Sequence, residues 1–153
     1  MATPRRRLLA VLVLAVVPWT VVFARGTATL FFPFGFVTPE VLSFTAIWDY
    51  YLRYTAGPGS LPQYLVAYGI AAVLLGIALV NALSGRFWRE DARVTAAVLV
   101  LAGLSNVLFA VGFLRLPGYT AVPVGTVLCW GVVWRYYGTA FRRILFVAEH
   151  DSD

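Results

Sequence analysis

Lysine is absent from this chain, and cysteine, histidine and methionine each occur once. A lone Cys129 excludes an intrachain disulfide and a cysteine-based zinc cluster. The one histidine, His150, falls in an acidic tail, Glu149–Asp153, so histidine-dependent chemistry has nothing to work with inside the apolar runs. Charge is scarce too: 12% of residues are charged, against about 25% in an ordinary soluble domain. No HExxH, no glycine-rich phosphate loop and no run of spaced metal ligands occurs, so neither catalysis nor a cofactor nor a metal is expected. Glu40, Asp49, Glu90 and Asp91 all lie between apolar runs. With no carboxylate inside a span to couple protons, the pattern argues against a proton-driven antiporter.

What is present is apolar: 61% of the 153 residues are hydrophobic and 16% aromatic. Four runs stand out, Leu8–Ala24, Tyr64–Leu83, Val94–Leu114 and Thr120–Tyr137, of 17, 20, 21 and 18 residues. A helix needs about 20 residues to cross the hydrocarbon core of a bilayer, and about 17 are tolerated. Short alternating segments, the mark of a membrane β-barrel, are missing. The expected fold is all-α, a single polytopic membrane domain of four transmembrane helices. Leu8–Val17 after Arg5-Arg6-Arg7 also reads as a signal peptide, with Val22-Phe23-Ala24 as cleavage site, or loosely as a twin-arginine signal. Pro18 and Trp19 interrupt that run and favour an uncleaved helix kinked at Pro18.

All twelve basic residues are arginine. Nine fall in three groups between apolar runs: Arg5, Arg6 and Arg7; Arg86, Arg89 and Arg93; Arg135, Arg142 and Arg143. Arg25, Arg53 and Arg115 fall on the opposite side. The positive-inside bias puts both termini in the cytoplasm of a multi-pass cell-membrane protein, with a cytoplasmic tail 138–153, and the net charge of +5 needs no nucleic-acid partner to explain it.

The connection Arg25–Gln63 is then extracellular. It holds four of the eight prolines and nine of the 24 aromatics. Thr38-Pro39-Glu40 has the order of a helix start, and Val41, Phe44, Trp48 and Tyr51 recur at helical spacing. An amphipathic surface helix is expected over Pro39–Thr55, with Asp49 and Arg53 paired one turn apart. Phe31–Phe36 is too short and broken to span, and is expected at the interface or packed over the bundle. Exposed aromatics of this kind mark a contact site, with Phe34, Phe36, Trp48 and Tyr51 as candidate partner contacts, or else a lid over the helices.

Inside the spans the polar candidates are few. Asn106 shares a helical face with Ala102 and Ala110, which favours an interhelical hydrogen bond over a ligand site. Ser105 lies beside it, and Gly69, Ala72 and Gly76 offer a matching small face on the second span. Cys129 with Gly125 forms a small-xxx-small pair for close packing. Arg135, six residues on, lies on another face and cannot activate the thiol. The loop Arg86–Arg93 reads as an orientation signal with a tryptophan anchor, or as a docking surface for a cytoplasmic partner or anionic lipid.

Several stretches together resemble a family of small haloarchaeal multi-pass membrane proteins whose genes lie next to the archaeosortase gene. They are Pro18-Trp19-Thr20 running into Phe31–Gly35, Asp49–Thr55, Glu90–Thr95 leading to Leu101–Ser105, and Gly118–Thr126. That family has no assigned reaction, so the resemblance transfers no functional residue. It implies an accessory or scaffold partner of another membrane protein, the archaeosortase, in surface-protein processing. A small transporter or channel is the alternative.

Overall fold

The structure is a computed structural model that describes the backbone of residues 3–150 and the side chains of residues 3–146. The side chain of His150 and the tail residues 151–153 lie outside the described residues. Helix α1 (Pro4–Val16) opens on an N-cap, Thr3, with proline at the first helical position. It stops because Pro18 forces Val17 into extended backbone (φ −89°, ψ 150°). Proline also lacks the N–H that would bond the Leu14 carbonyl. The Trp19 indole replaces it, Nε1 donating to Leu14 O at 2.6 Å. The β-branched and aromatic residues that follow continue as strand β1 (Thr20–Ala24).

Strand β1 belongs to a five-stranded antiparallel sheet with β2 (Thr27–Phe32), β3 (Gly35–Thr38), β4 (Ser43–Ala46) and β5 (Tyr119–Val122), in the order β4-β3-β2-β1-β5. Arg25 and Gly26, both at positive φ, make the two-residue turn between β1 and β2. The β2–β3 turn is Pro33-Phe34. Between β3 and β4 come a single 3-10 turn, Pro39–Val41, and Leu42 in the left-handed region. Register sorts the side chains onto two faces. Thr20, Val22, Phe31, Phe36 and Ala121 face the helices. On the other face one apolar row, Phe44-Val37-Leu30-Val21-Val122, crosses all five strands. A short helix, α2 (Ile47–Leu52), follows β4.

The sheet caps one end of a helical layer made by α1, α3 (Gln63–Phe87), α4 (Ala92–Leu114) and α5 (Val124–His150). Helices α3 and α4 form an antiparallel hairpin, and α4 packs on α5. The core these helices share is rich in alanine: Ala71, Ala78 and Ala82 of α3 and Ala96 and Ala102 of α4 are buried in it with Leu75 and Leu99. The seam of α3 is therefore not Gly69-Ala72-Gly76, since Gly76 is exposed. Sheet and helices are joined by Phe31, whose ring centroid lies 4.9 Å from that of Phe109, 5.5 Å from that of Tyr68 and 5.8 Å from that of Phe113.

These observations correct the expected fold. The chain is mixed α/β, and among the described residues two helices rather than four are long and apolar enough to cross a membrane, Gln63–Phe87 and Ala92–Leu114. At about 1.5 Å per residue they are about 37 and 34 Å long, against a core of about 30 Å. The 13 residues of α1 reach only about 20 Å. The first expected span breaks at Pro18 into helix and strand. The fourth begins with strand β5, and its helix is long but carries Arg135, Arg142 and Arg143. The surface helix expected over Pro39–Thr55 is instead turn, strand and a six-residue helix: the spacing of Val41 and Phe44 serves a turn and an outward strand position. Signal cleavage after Ala24 would remove β1, an interior strand of the sheet.

Truncating the ring that joins the two layers should cost far more than truncating its neighbour in the hairpin turn. Phe31→Ala is expected to destabilise by about 3–5 kcal/mol and Phe34→Ala by about 0.5 kcal/mol or less. Unfolding of each variant in mild detergent, followed by circular dichroism, measures both.

Candidate functional site

Three groupings of polar or exposed apolar side chains stand out among the described residues. The first sits where β1 meets the helices. Asn106 on α4 accepts from the Thr20 hydroxyl at Oδ1 (2.7 Å), and its Nδ2 donates to Trp19 O (3.2 Å) and Thr126 Oγ1 (3.1 Å). The Thr126 hydroxyl passes its own proton to Gly103 O at 2.9 Å. Both amide protons and the amide oxygen are used inside the protein, and Asn106, Thr20 and Thr126 are all buried. The group ties the start of β1 to α4 and α5. Ser105, half-buried on the next position of α4, does not bond Asn106.

Cys129 is buried one turn along α5, in the core that holds Trp19, Val133 and Tyr137. Gly125 lies against the Trp19 indole: a Cβ there would sit 2.6 Å from the ring, and its N–H donates to Trp19 O at 2.7 Å. Arg135 points outward, its guanidinium 5.6 Å from the centroid of the Tyr136 ring. Arg135 therefore does not accompany the thiol.

The second grouping lies at the opposite end of the helices. Glu90, in the α3–α4 turn, has only 4% of its side chain exposed. Its Oε1 accepts from Tyr137 (2.6 Å) and Thr95 (3.2 Å), and its Oε2 is 3.8 Å from Arg7 Nη1. Arg7 also lies over the Tyr137 ring at 5.0 Å. Asn81 on α3 completes the cluster, donating to Thr95 Oγ1 and Asp91 O. Arg7 Nε and Glu90 Oε2 are buried without a hydrogen-bond partner, so the ion pair is not geometrically closed. One carboxylate thus meets side chains of three helices, α1, α4 and α5, and Asn81 adds α3 through Thr95. Sequence spacing hides it, because Glu90 stands outside every apolar run; the available signal is an acid directly before the N-cap Asp91, within a group of arginines.

The third grouping is apolar and faces away from the helices. Of the four expected contact residues, Phe34 and Trp48 are exposed. Phe36 and Tyr51 instead turn inward: Phe36 packs on Phe31 and Tyr50. The Tyr51 hydroxyl stands between Leu65 O, to which it donates, and the Gly69 N–H, which it accepts at 3.0 Å. Burial pushes the Tyr51 phenol up to about 12. Val41 and Phe44, marked by their helical spacing, are also exposed, and the outer surface gains Phe23, Leu42 and Val122, which that spacing does not pick out. Asp49 and Arg53 form their pair at 3.3 Å. Phe87 and Trp88 are exposed in the α3–α4 turn. Among the described residues no group of three histidine, cysteine or acidic side chains is placed to hold a metal ion.

The Glu90 latch predicts a coupled mutational response. Glu90→Gln and Arg7→Met should each destabilise by about 3–5 kcal/mol, because each leaves a buried charge uncompensated. The double variant should recover part of that loss. Thermal unfolding of the four proteins closes the cycle, and additive losses would show that the two charges do not interact.

No curated protein and no solved structure matches this chain. Residues 1–146 match a family model described as a domain of unknown function, DUF8050. That match covers both polar groupings and the whole sheet, and the chain belongs to the DUF8050 family.

Proposed function

We propose that this protein is a membrane-embedded accessory subunit that binds another membrane protein through the outer face of its sheet and acts by binding rather than by catalysis. The observation that carries this reading is the apolar row Phe44-Val37-Leu30-Val21-Val122, flanked by exposed Phe23, Phe34 and Trp48. Val21, Leu30 and Val37 of the row are half-buried, and Phe44 and Val122 are exposed; a sheet face normally buries such a row against a second layer, and a cluster of exposed apolar side chains marks an interaction surface. Helices α3 and α4 are long and apolar enough to hold the protein in a membrane. The arginine groups sit at the end of the helices opposite the sheet, so the positive-inside rule supports a multi-pass cell-membrane protein with both termini cytoplasmic and the sheet outside. The resemblance drawn from the sequence supplies the candidate partner, the archaeosortase, and surface-protein processing as the shared task. A transporter reading gains no support from Asn106, whose amide is fully used in holding the helices.

Two measurements test this. Single cysteines at Ser60 and Ser84, in a Cys129→Ser background, should react with a membrane-impermeant reagent from outside at Ser60 alone; labelling at Ser84 instead would reverse the orientation. Phe23→Ser with Phe44→Ser should abolish co-purification of the partner and impair C-terminal processing of surface proteins while leaving the protein in the membrane. Normal processing in a strain lacking the gene would remove the archaeosortase from the proposal.

A further inference from the structure

A groove of about 1300 Å³ runs between α1 and α5, on the flank of the helices and away from the sheet. Because the two helices are antiparallel, its lining is graded along their length. Toward the sheet it is apolar, with Leu9 and Val13 of α1 facing Trp130 and Trp134 of α5. Toward the other end Arg6, Arg7, Arg135 and Arg142 line it, with Phe141 and Leu145 among them. No carboxylate lines the groove among the described residues; Arg7 alone of the four arginines faces one nearby, Glu90 at 3.8 Å. Three of the four guanidinium groups, all but that of Arg7, belong to exposed residues.

We propose that this groove holds one anionic phospholipid, its phosphate among Arg6, Arg7, Arg135 and Arg142 and an acyl chain along Leu9, Val13, Trp130 and Trp134. Charge complementarity selects the headgroup, since guanidinium groups pair with phosphate oxygens in a fixed fork. Length selects the rest of the molecule. Trp130 and Arg142 are twelve residues apart on α5, about 18 Å along its axis. One leaflet contributes about 15 Å of the roughly 30 Å hydrocarbon core. The grading also runs the right way: the basic end lies at the end of the α3–α4 hairpin marked by Arg86, Arg89 and Arg93, where phosphates of one leaflet would lie. A free phosphate would leave the apolar half of the groove without an occupant, and a neutral lipid would leave the arginines without one.

The test uses the full-length protein in phosphatidylcholine vesicles containing a minor fraction of lipid with brominated acyl chains, which quench tryptophan on contact. Brominated phosphatidylglycerol should quench more strongly than brominated phosphatidylcholine at the same fraction. Arg6→Gln with Arg142→Gln should reduce that preference roughly tenfold. Arg5→Gln with Arg143→Gln removes the same charge outside the groove and should leave it unchanged. Trp130→Phe with Trp134→Phe should remove the preferential quenching while the protein stays in the membrane. Equal quenching by the two lipids, equal losses in the two arginine pairs, or displacement by inorganic phosphate alone would each overturn the proposal. These outcomes are independent of partner binding at the sheet.

Discussion

The peptide group of Trp19 is the point on which sheet and helices both depend. Its N–H donates to Phe31 O at 2.7 Å and so begins the β1–β2 ladder. Its carbonyl accepts from the Gly125 N–H at the start of α5 and from the Asn106 amide in α4. The indole closes the end of α1 by bonding Leu14 O, the carbonyl that Pro18 cannot serve. One residue thus converts the loss of a helical hydrogen bond into a junction of three helices and a strand. Trp19, Leu14, Asn106 and Gly125 are all buried, and an unmade bond among them would leave a polar atom stranded in an apolar setting.

The helices have two polar ties, one at each end, with alanine-rich packing between. At the sheet end the tie is neutral and fully bonded around Asn106. At the other end it is charged and incompletely bonded around Glu90 and Arg7. These differ in physical character. A neutral network in a low-dielectric setting contributes fixed geometry at small desolvation cost. A buried ion pair adds little net stability but strongly penalises the removal of either partner. The sheet end is therefore held in position, whereas the arginine end is held in charge balance.

How much of this was legible in the sequence follows from what pattern can encode. Helices α3 and α4 were readable, because long uncharged runs leave few alternatives. The strands were not. Thr20–Ala24 and Tyr119–Val122 are hidden at the ends of apolar runs, where hydrophobicity is equally compatible with helix and buried strand. Pro18 and the β-branched residues after it were the local signal, and reading proline as a kink rather than a stop lost β1 and with it the sheet. Asn106 stood out because a lone amide among alanines is conspicuous. Glu90 did not, because its burial comes from a turn that folds it back between α1 and α5. The inward turning of Phe36 and Tyr51 depended on sheet register and on α2 docking against α3, neither of which spacing reveals.

Strand β1 is paired on one side with β2, its immediate successor, and on the other with β5, about a hundred residues later in the chain. The meander β1–β4 can form from local contacts as soon as it is made. Its fifth strand arrives only after both long apolar helices have been synthesised and paired. Until then β1 presents a bare hydrogen-bonding edge beside the unfilled site of Trp19, the kind of edge that recruits strangers. This pairing is thus strongly non-local and can close only after both helices between its strands have been made. Assembly of this fold is timed by the α3–α4 hairpin, which acts as the spacer that decides when the sheet stops being sticky.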